Sequence, residues 1–310
     1  MERMGIKQRP SLPVTAAGRR RRFDDRDLGY LFVLPAVAVL CFVLIFPLLY
    51  ATYLSFNQIG ANFEGQFVGL QNYADILGDA AFWKALRNTV VFTAASVTLH
   101  FVLGLAVALL LNQQIKARTF FRMLMLVPWL VPAVVTAMTW KWMLNSQYGI
   151  LNDLLMRLHL ITAAVPWIAS VEWAMPSVVL AATWQGFPFA MVMLLAGLQT
   201  VPREQLEAAA VDGASIWQRF RYVTIPNLQF VILVVTILDT IWTFKSFDLI
   251  QVLTAGGPVG STEVLATLVY RLSFKFFRFG FAAAIAVLML LVLFAFSLIY
   301  LRVLERQEQR

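Results

Sequence analysis

Six stretches of this chain are each long and apolar enough to cross a bilayer, and no other feature narrows the possible folds as sharply. A helix rising 1.5 Å per residue needs roughly 20 apolar residues to cross about 30 Å of hydrocarbon. The stretches are 30–55, 88–112, 120–143, 176–200, 227–248 and 280–303. Pro35, Pro47, Pro128, Pro132 and Pro188 fall within or at the ends of them. Membrane helices tolerate such prolines because neighbouring helices satisfy the freed carbonyls. A soluble bundle would need buried helices of this length at nearly every position. Composition points the same way: 60% of the residues are hydrophobic and only 14% charged, where a soluble domain is about a quarter charged. The expected fold class is all-α, a polytopic membrane protein with six transmembrane helices.

The net charge of +8 could point to nucleic acid, but its placement reads as a topology signal. Arg19 to Arg22 stand just before the first apolar stretch, and Lys116, Arg118, Arg122, Arg203, Arg219, Arg221, Arg302, Arg306 and Arg310 share the same expected side. Both termini are therefore expected in the cytoplasm, with outer loops at 56–87, 144–175 and 249–279. Residues 1–29 read as a basic cytoplasmic arm, 30–303 as the transmembrane domain and 304–310 as a cytoplasmic tail. The first apolar stretch is too long for a cleavable signal peptide and lacks a small-residue cleavage pattern. Cys41 is the only cysteine, and His100 and His159 are the only histidines, so no disulfide or metal site is expected. No phosphate-cradling Gly-x-x-x-x-Gly-Lys-[Ser/Thr] occurs. The chain should not be an enzyme, and it should carry no cofactor of its own.

The loop between the fourth and fifth stretches, 201–226, stands out. Pro202 can open a helix whose first turn holds Glu204, where the dipole favours an anion. Residues 203–211 are strong helix formers, and Gly213 can stop the helix at its C-terminal cap. Arg219 and Arg221 then begin a second short helix, and Pro226 marks entry to the next span. The small run Ala208–Ala210 suits close approach by another protein better than a simple connector would.

This loop resembles the EAA loop of ABC-importer permeases, whose pattern is Glu-Ala-Ala, three residues, Gly, nine residues, Ile, one residue, Leu-Pro. Here it reads Glu207-Ala208-Ala209, Gly213, Val223 and Ile225-Pro226, with Val223 and Ile225 as conservative departures. Phe230 stands where a further proline often follows. Phe67-Val-Gly-Leu-Gln-Asn-Tyr73, Arg87-Asn88-Thr89 and Leu253-Thr-Ala-Gly-Gly-Pro258 look like the carbohydrate-uptake branch and its MalF-type member. The resemblance covers nearly all of 30–303. It implies the MalF-like (MetI-like) permease fold in a bacterial inner membrane. It also implies a second, MalG-like permease chain, two ATPase subunits that bind the ATP and Mg, a soluble or lipid-anchored solute-binding protein, and a carbohydrate or glycoside solute. It assigns Glu207, Ala208, Ala209, Asp212 and Gly213 to contact with the ATPase.

Polar groups at membrane depth are costly and so are functional candidates. Asp239, Trp242, Thr243 and Ser246 share one helix face at i, i+3, i+4 and i+7. In the fourth stretch Gln185 and Phe189 form an i, i+4 pair, with Gly186 and Pro188 between them. A carboxylate, hydroxyls and an indole suit a sugar, although the same residues could simply hold helices together. The resemblance assigns the solute to Gln185, Gly186, Phe189, Asp239, Trp242, Thr243 and Ser246. Lys245 either pairs with Asp248 at i, i+3 or meets an anionic solute. His100 reads as a hydrogen-bonded packing residue, and Asp239 stands alone among the acids at depth. An intramembrane enzyme would need a nucleophile–base or metal constellation, and none is present. An ATP-independent carrier would leave the 201–226 loop unexplained.

Overall fold

The computed structural model describes residues 25–62 and 64–308. Most of the expected N-terminal arm, Arg19 to Arg22 included, lies outside the described residues, as does the end of the tail. The chain falls into two units, Met1–Tyr50 and Ala51–Arg310.

In the first unit α1 (Asp25–Leu40) leads through a π-helical turn (Cys41–Ile45) into the start of α2 (Phe46–Ser55). The side chains from Phe32 to Tyr50 are all exposed, as a band facing lipid would be.

The second unit opens with a two-stranded antiparallel ribbon, β1 (Asn57–Ile59) and β2 (Gly65–Phe67), paired Asn57 to Phe67 and Ile59 to Gly65. This ribbon is the one departure from an all-α reading among the described residues. It is followed by α3 (Gln71–Gly78), α4 (Ala80–Asn112), α5 (Arg118–Leu130), α6 (Ala133–Met143), α7 (Ile150–Arg157), α8 (Val171–Thr200) and α9 (Arg203–Val211). The rest comprises α10 (Ile216–Arg219), a π-helical turn (Phe220–Thr224), α11 (Ile225–Phe244), α12 (Asp248–Leu253), α13 (Leu265–Phe274) and α14 (Phe279–Glu308). Five helical runs are long and apolar enough to span: Phe32–Ser55, Ala80–Asn112, Val171–Thr200, Ile216–Phe244 and Phe279–Arg302.

The expected third span, 120–143, is not one straight helix. It is α5 and α6, bent by 92°, which makes six spans only when this pair counts as one. The residue before a proline is driven out of the helical region, and Val131, before Pro132, has φ −76 and ψ 129. α4 and α8 begin earlier than expected, at Ala80 and Val171, because caps start them in polar sequence. Asp79 accepts from the Ala81 N–H at 2.8 Å and Ser170 from the Glu172 N–H at 3.2 Å.

Pro226 stands in the first turn of α11, as expected, but the short helix before it is not separate. Helical backbone runs through from Ile216 to Phe244, and the π turn absorbs the proline. Ile225 N–H bonds the Phe220 carbonyl immediately before Pro226, as Phe46 N–H bonds the Cys41 carbonyl before Pro47. A proline has no N–H, and its ring crowds the carbonyl of the preceding turn. A widened turn just ahead of it makes room. At its other end α11 stops at Phe244, short of the expected 248, and Asp248 opens α12.

α4 packs along α8 more extensively than any other two elements pack. Ala108 and Leu111 of α4 cluster with Leu194 and Leu198 of α8 and with Leu228 of α11. Phe92 clusters with Val178 and with Leu249 of α12. α4 and α8 are thus parallel and α11 runs against them. A Cβ on Gly104 would lie 2.8 Å from both Ala190 Cβ and the Met191 backbone nitrogen. Small residues permit such an approach between membrane helices. Gly104→Val should therefore force α4 and α8 apart. A cost of about 1–3 kcal/mol is expected, read as a lower midpoint in thermal unfolding of the detergent-purified protein.

The resembling motifs tie the end of the unit opposite α9. Asn88 donates to the carbonyls of Gly260 (3.1 Å) and Glu263 (3.0 Å), and the Thr89 hydroxyl accepts from Leu265 N–H at 2.9 Å. Asn72 donates to the Ser55 and Asn57 carbonyls at 2.9 and 3.0 Å.

Candidate functional site

The middles of α4 and α8, the last turns of α11 with Ser246 just beyond them, the end of α5 and the start of α12 line a cavity of ≈ 240 Å³. Seven of the eight residues expected to bind solute line it: Gln185, Gly186, Phe189, Asp239, Trp242, Thr243 and Ser246. Lys245 does not. It lines a separate hollow with Phe247, Tyr270 and Phe274, because α11 ends at Phe244 and Lys245 caps it. Among the described residues no ion pair joins Lys245 to Asp248, so the expected local pair is not formed.

Asp239 lies about 20 Å along α11 from Ile225, counted at 1.5 Å per residue, and is buried. It does not stand alone. His100 of α4, read from sequence as packing, places Nδ1 at 2.8 Å from Asp239 Oδ2 and 3.1 Å from Oδ1. Its Nε2 lies 3.0 Å from the Ala182 carbonyl of α8. Thr243, one turn on, donates to Asp239 Oδ1 at 3.3 Å. Three helices are thereby joined at one imidazole ring. Gly186 makes this possible, since a Cβ there would overlap His100 Cε1 and Nε2. The available signal was an ionisable residue mid-way along one predicted span and another mid-way along a second. Each is costly alone in the membrane, and together they satisfy one another.

Gln185 has a second task. Its Nε2 donates to the Val131 carbonyl at 3.0 Å, which lies at the α5–α6 bend. That carbonyl loses its helical partner because Pro132 and the bend interrupt the ladder. An amide from the neighbouring helix supplies the missing donor, leaving the Gln185 oxygen free to accept.

The apolar wall is aromatic. Phe189 sits between Trp129 and Trp242, with centroids at 6.1 and 4.8 Å, the latter pair edge-to-face. Trp242 is 45% exposed, so much of its surface is open. Trp129, beside Pro128, was not singled out from sequence. It enters the site because the bend brings the end of α5 there. Hydroxyls, a carboxyl group, an amide oxygen and indole faces around one cavity can bond hydroxyls and pack C–H surfaces.

A second feature lies at the far end of α11. Pro202 precedes α9, which has no buried residue, and Gly213 (φ +81) turns the chain after it. Gly213 N–H bonds the Ala210 carbonyl at 3.1 Å and Ala214 N–H the Ala209 carbonyl at 2.9 Å, the paired closure of a glycine-terminated helix. Ser215 and Gln218 form a capping box that starts α10. Glu207, Ala208 and Asp212 are exposed. A hollow beside them is lined by Ala209, Asp212, Gly213, Gln218, Arg219 and Tyr222, among others. Val211, Ile216 and Trp217, on the same helix–turn–helix, are exposed. Asn227 of α11 donates to Gln205 of α9 at 2.9 Å, and Leu206 packs on the cluster holding Leu228. α9 is thus fastened to the helix that carries Asp239.

Spanning helices around a polar cavity, with an exposed short helix fastened to one of them, define a membrane transport subunit. Residues 100–309 match the family described as the binding-protein-dependent transport system inner membrane component, and the chain belongs to that family as a MalF-type ABC permease. It is 37% identical to the trehalose/maltose transport system permease protein MalF of Thermococcus litoralis, over 91% of this chain and 95% of that one. It is 33% identical to the sulfoquinovosyl glycerol transport system permease protein SmoG of Agrobacterium fabrum, over 92% of each. In fold it matches a chain of the crystal structure of a bacterial ABC transporter involved in the import of the acidic polysaccharide alginate. The TM-score is 0.79 at 22% identity, covering 91% of this chain and 96% of that one.

Proposed function

We propose that this chain forms one half of the translocation path of an importer for a sugar or sugar derivative, with the cavity at Asp239 and Trp242 as its solute site. The observation that carries this is the coincidence of seven expected contact residues in one cavity. Carboxyl, amide and hydroxyl oxygens accept or donate to sugar OH groups, while Trp242 and Phe189 pack against C–H faces. Relatives named for trehalose and maltose and for a sulfoquinovosyl glycerol support a carbohydrate-like solute.

The coupling follows from α9. With the termini on the cytoplasmic side, as the basic residues favour, α9 faces an ATPase subunit through Glu207, Ala208, Ala209, Asp212 and Gly213. Small side chains let the partner approach closely, and the apolar rim of Ile216 and Trp217 gives it surface to bury. A solute-binding protein delivers from outside, and a second permease chain completes the path. ATP-driven closure of the ATPase pair moves α9, and the Gln205–Asn227 bond and Leu206 pass that movement to α11. ATP and Mg belong to the partner. The 30–303 region acts as the permease domain, with the segments before and after it cytoplasmic.

The test is purification of the assembled transporter through a tag on this chain, followed by uptake into vesicles with and without ATP. Uptake that proceeds equally without ATP would exclude the importer reading. Trp242→Ala should lower uptake about tenfold, equivalent to ~1.4 kcal/mol, with the ATPase still bound. Unchanged uptake in that variant would remove the cavity from the path.

A further inference from the structure

The partners of the two His100 nitrogens differ in kind. Ala182 offers Nε2 a carbonyl oxygen at 3.0 Å, which only accepts, so Nε2 carries a hydrogen and donates it. Nδ1 faces the Asp239 carboxyl group at 2.8 Å. A hydrogen bond there requires one proton between the two groups. On Nδ1 it makes an imidazolium facing a carboxylate; on the carboxyl it makes a neutral ring facing a neutral acid. The net charge of the pair is zero in both forms.

The pair is also buried, with side chains 4% and 8% exposed. No other residue lining the cavity is ionisable. Lys245, the first basic residue after Asp239 in sequence, lines a different hollow.

Resting on the assignment of this cavity as the solute site, we propose that His100 is a positioning residue that cancels the charge of Asp239 and sets this half of the site for an uncharged polyhydroxyl solute. An anionic group brought to mid-membrane needs a counter-charge, and here the one cationic candidate is already spent on Asp239. A neutral sugar needs only acceptors and donors at fixed positions. His100 supplies these indirectly, because it and Thr243 hold the carboxyl group in one orientation.

The experiment compares uptake in the native host with and without this chain, so that only uptake lost on its deletion is counted. One probe set is neutral (maltose, trehalose, sucrose, maltotriose and sorbitol) and the other anionic (glucuronate, galacturonate, glucose 6-phosphate and a sulfonated glucoside). Uptake from the neutral set alone is expected. Chain-dependent uptake of an anionic probe overturns the inference and leaves the importer reading standing, whereas uptake from neither set overturns both.

The second arm separates charge from packing at equal amounts of assembled transporter. His100→Gln leaves the Asp239 carboxylate without its counter-charge and should cut uptake of the transported neutral probe by roughly a hundredfold, the scale of a buried charge left without its partner. His100→Gln combined with Asp239→Asn removes that charge and should recover most of the loss. Equal losses in the single and double variants would show that His100 only fills space, and would overturn the proposal.

Discussion

Gly186→Leu is expected to reduce transport to the level of a strain lacking this chain, while the protein still inserts and still binds its ATPase. The reason is local. The space where a Cβ would stand is held by the His100 ring, and that ring is fixed on both sides, by Ala182 and by Asp239. It cannot swing away without giving up both hydrogen bonds. Separating a buried pair of this kind costs about 3–5 kcal/mol, which corresponds to a hundredfold or more in an equilibrium constant. Gly186→Ala forces the same choice with one carbon and should already cause most of the loss. Uptake per unit of assembled transporter measures it. If Gly186→Leu transports normally, the His100–Asp239 contact is dispensable and the described site is not the one used.

Gly213→Val should give the opposite dissection, an intact solute cavity that no longer responds to ATP. At φ +81 Gly213 occupies the left-handed region, which costs an L-residue roughly 1–2 kcal/mol and a β-branched one more. The cheapest relief is to unwind the end of α9, where Gly213 and Ala214 close the helix onto Ala210 and Ala209. That removes the shape offered to the ATPase without touching the cavity about 20 Å away along α11. Glu207→Lys tests the same surface without altering the backbone. Glu207 is exposed, so reversing its charge should act on docking alone. Both variants should lose ATP-driven uptake and co-purification of the ATPase at normal abundance in the membrane. Normal coupling in both would exclude α9 as the docking element.

Much of this architecture could be read before any coordinates, and the residues that could not share a cause. Apolar length and loop charge are local properties, so the long helices were visible, as were the stop at Gly213 and the shared face of Asp239, Trp242, Thr243 and Ser246. What stayed hidden depends on pairs distant in sequence. His100 and Asp239 are 139 positions apart, and nothing in either neighbourhood announces the other. Gln185 was assigned to the solute by the resemblance, and it does line the cavity. Its link to Val131 exists only because a bend 54 positions earlier frees a carbonyl. That bend was concealed by hydropathy, which stays high through Pro132 while the backbone turns. Lys245 was misplaced by one local event, the end of α11 at Phe244. Pro226 does mark entry to α11, and what the sequence hid was the π turn that joins it to the short helix before it.

The bond from Gln185 to Val131 bears on any attempt to retune what this transporter carries. A residue that lines a cavity invites substitution, yet Gln185 also fastens the corner that brings Trp129 to the wall. Replacing it would move a neighbouring surface as well as alter the one it presents, and selectivity would change in a way no single contact predicts. Ser246 and Trp242 carry no such duty to another helix's backbone. They are the positions where a library of variants should begin, with Gln185 held constant as part of the frame.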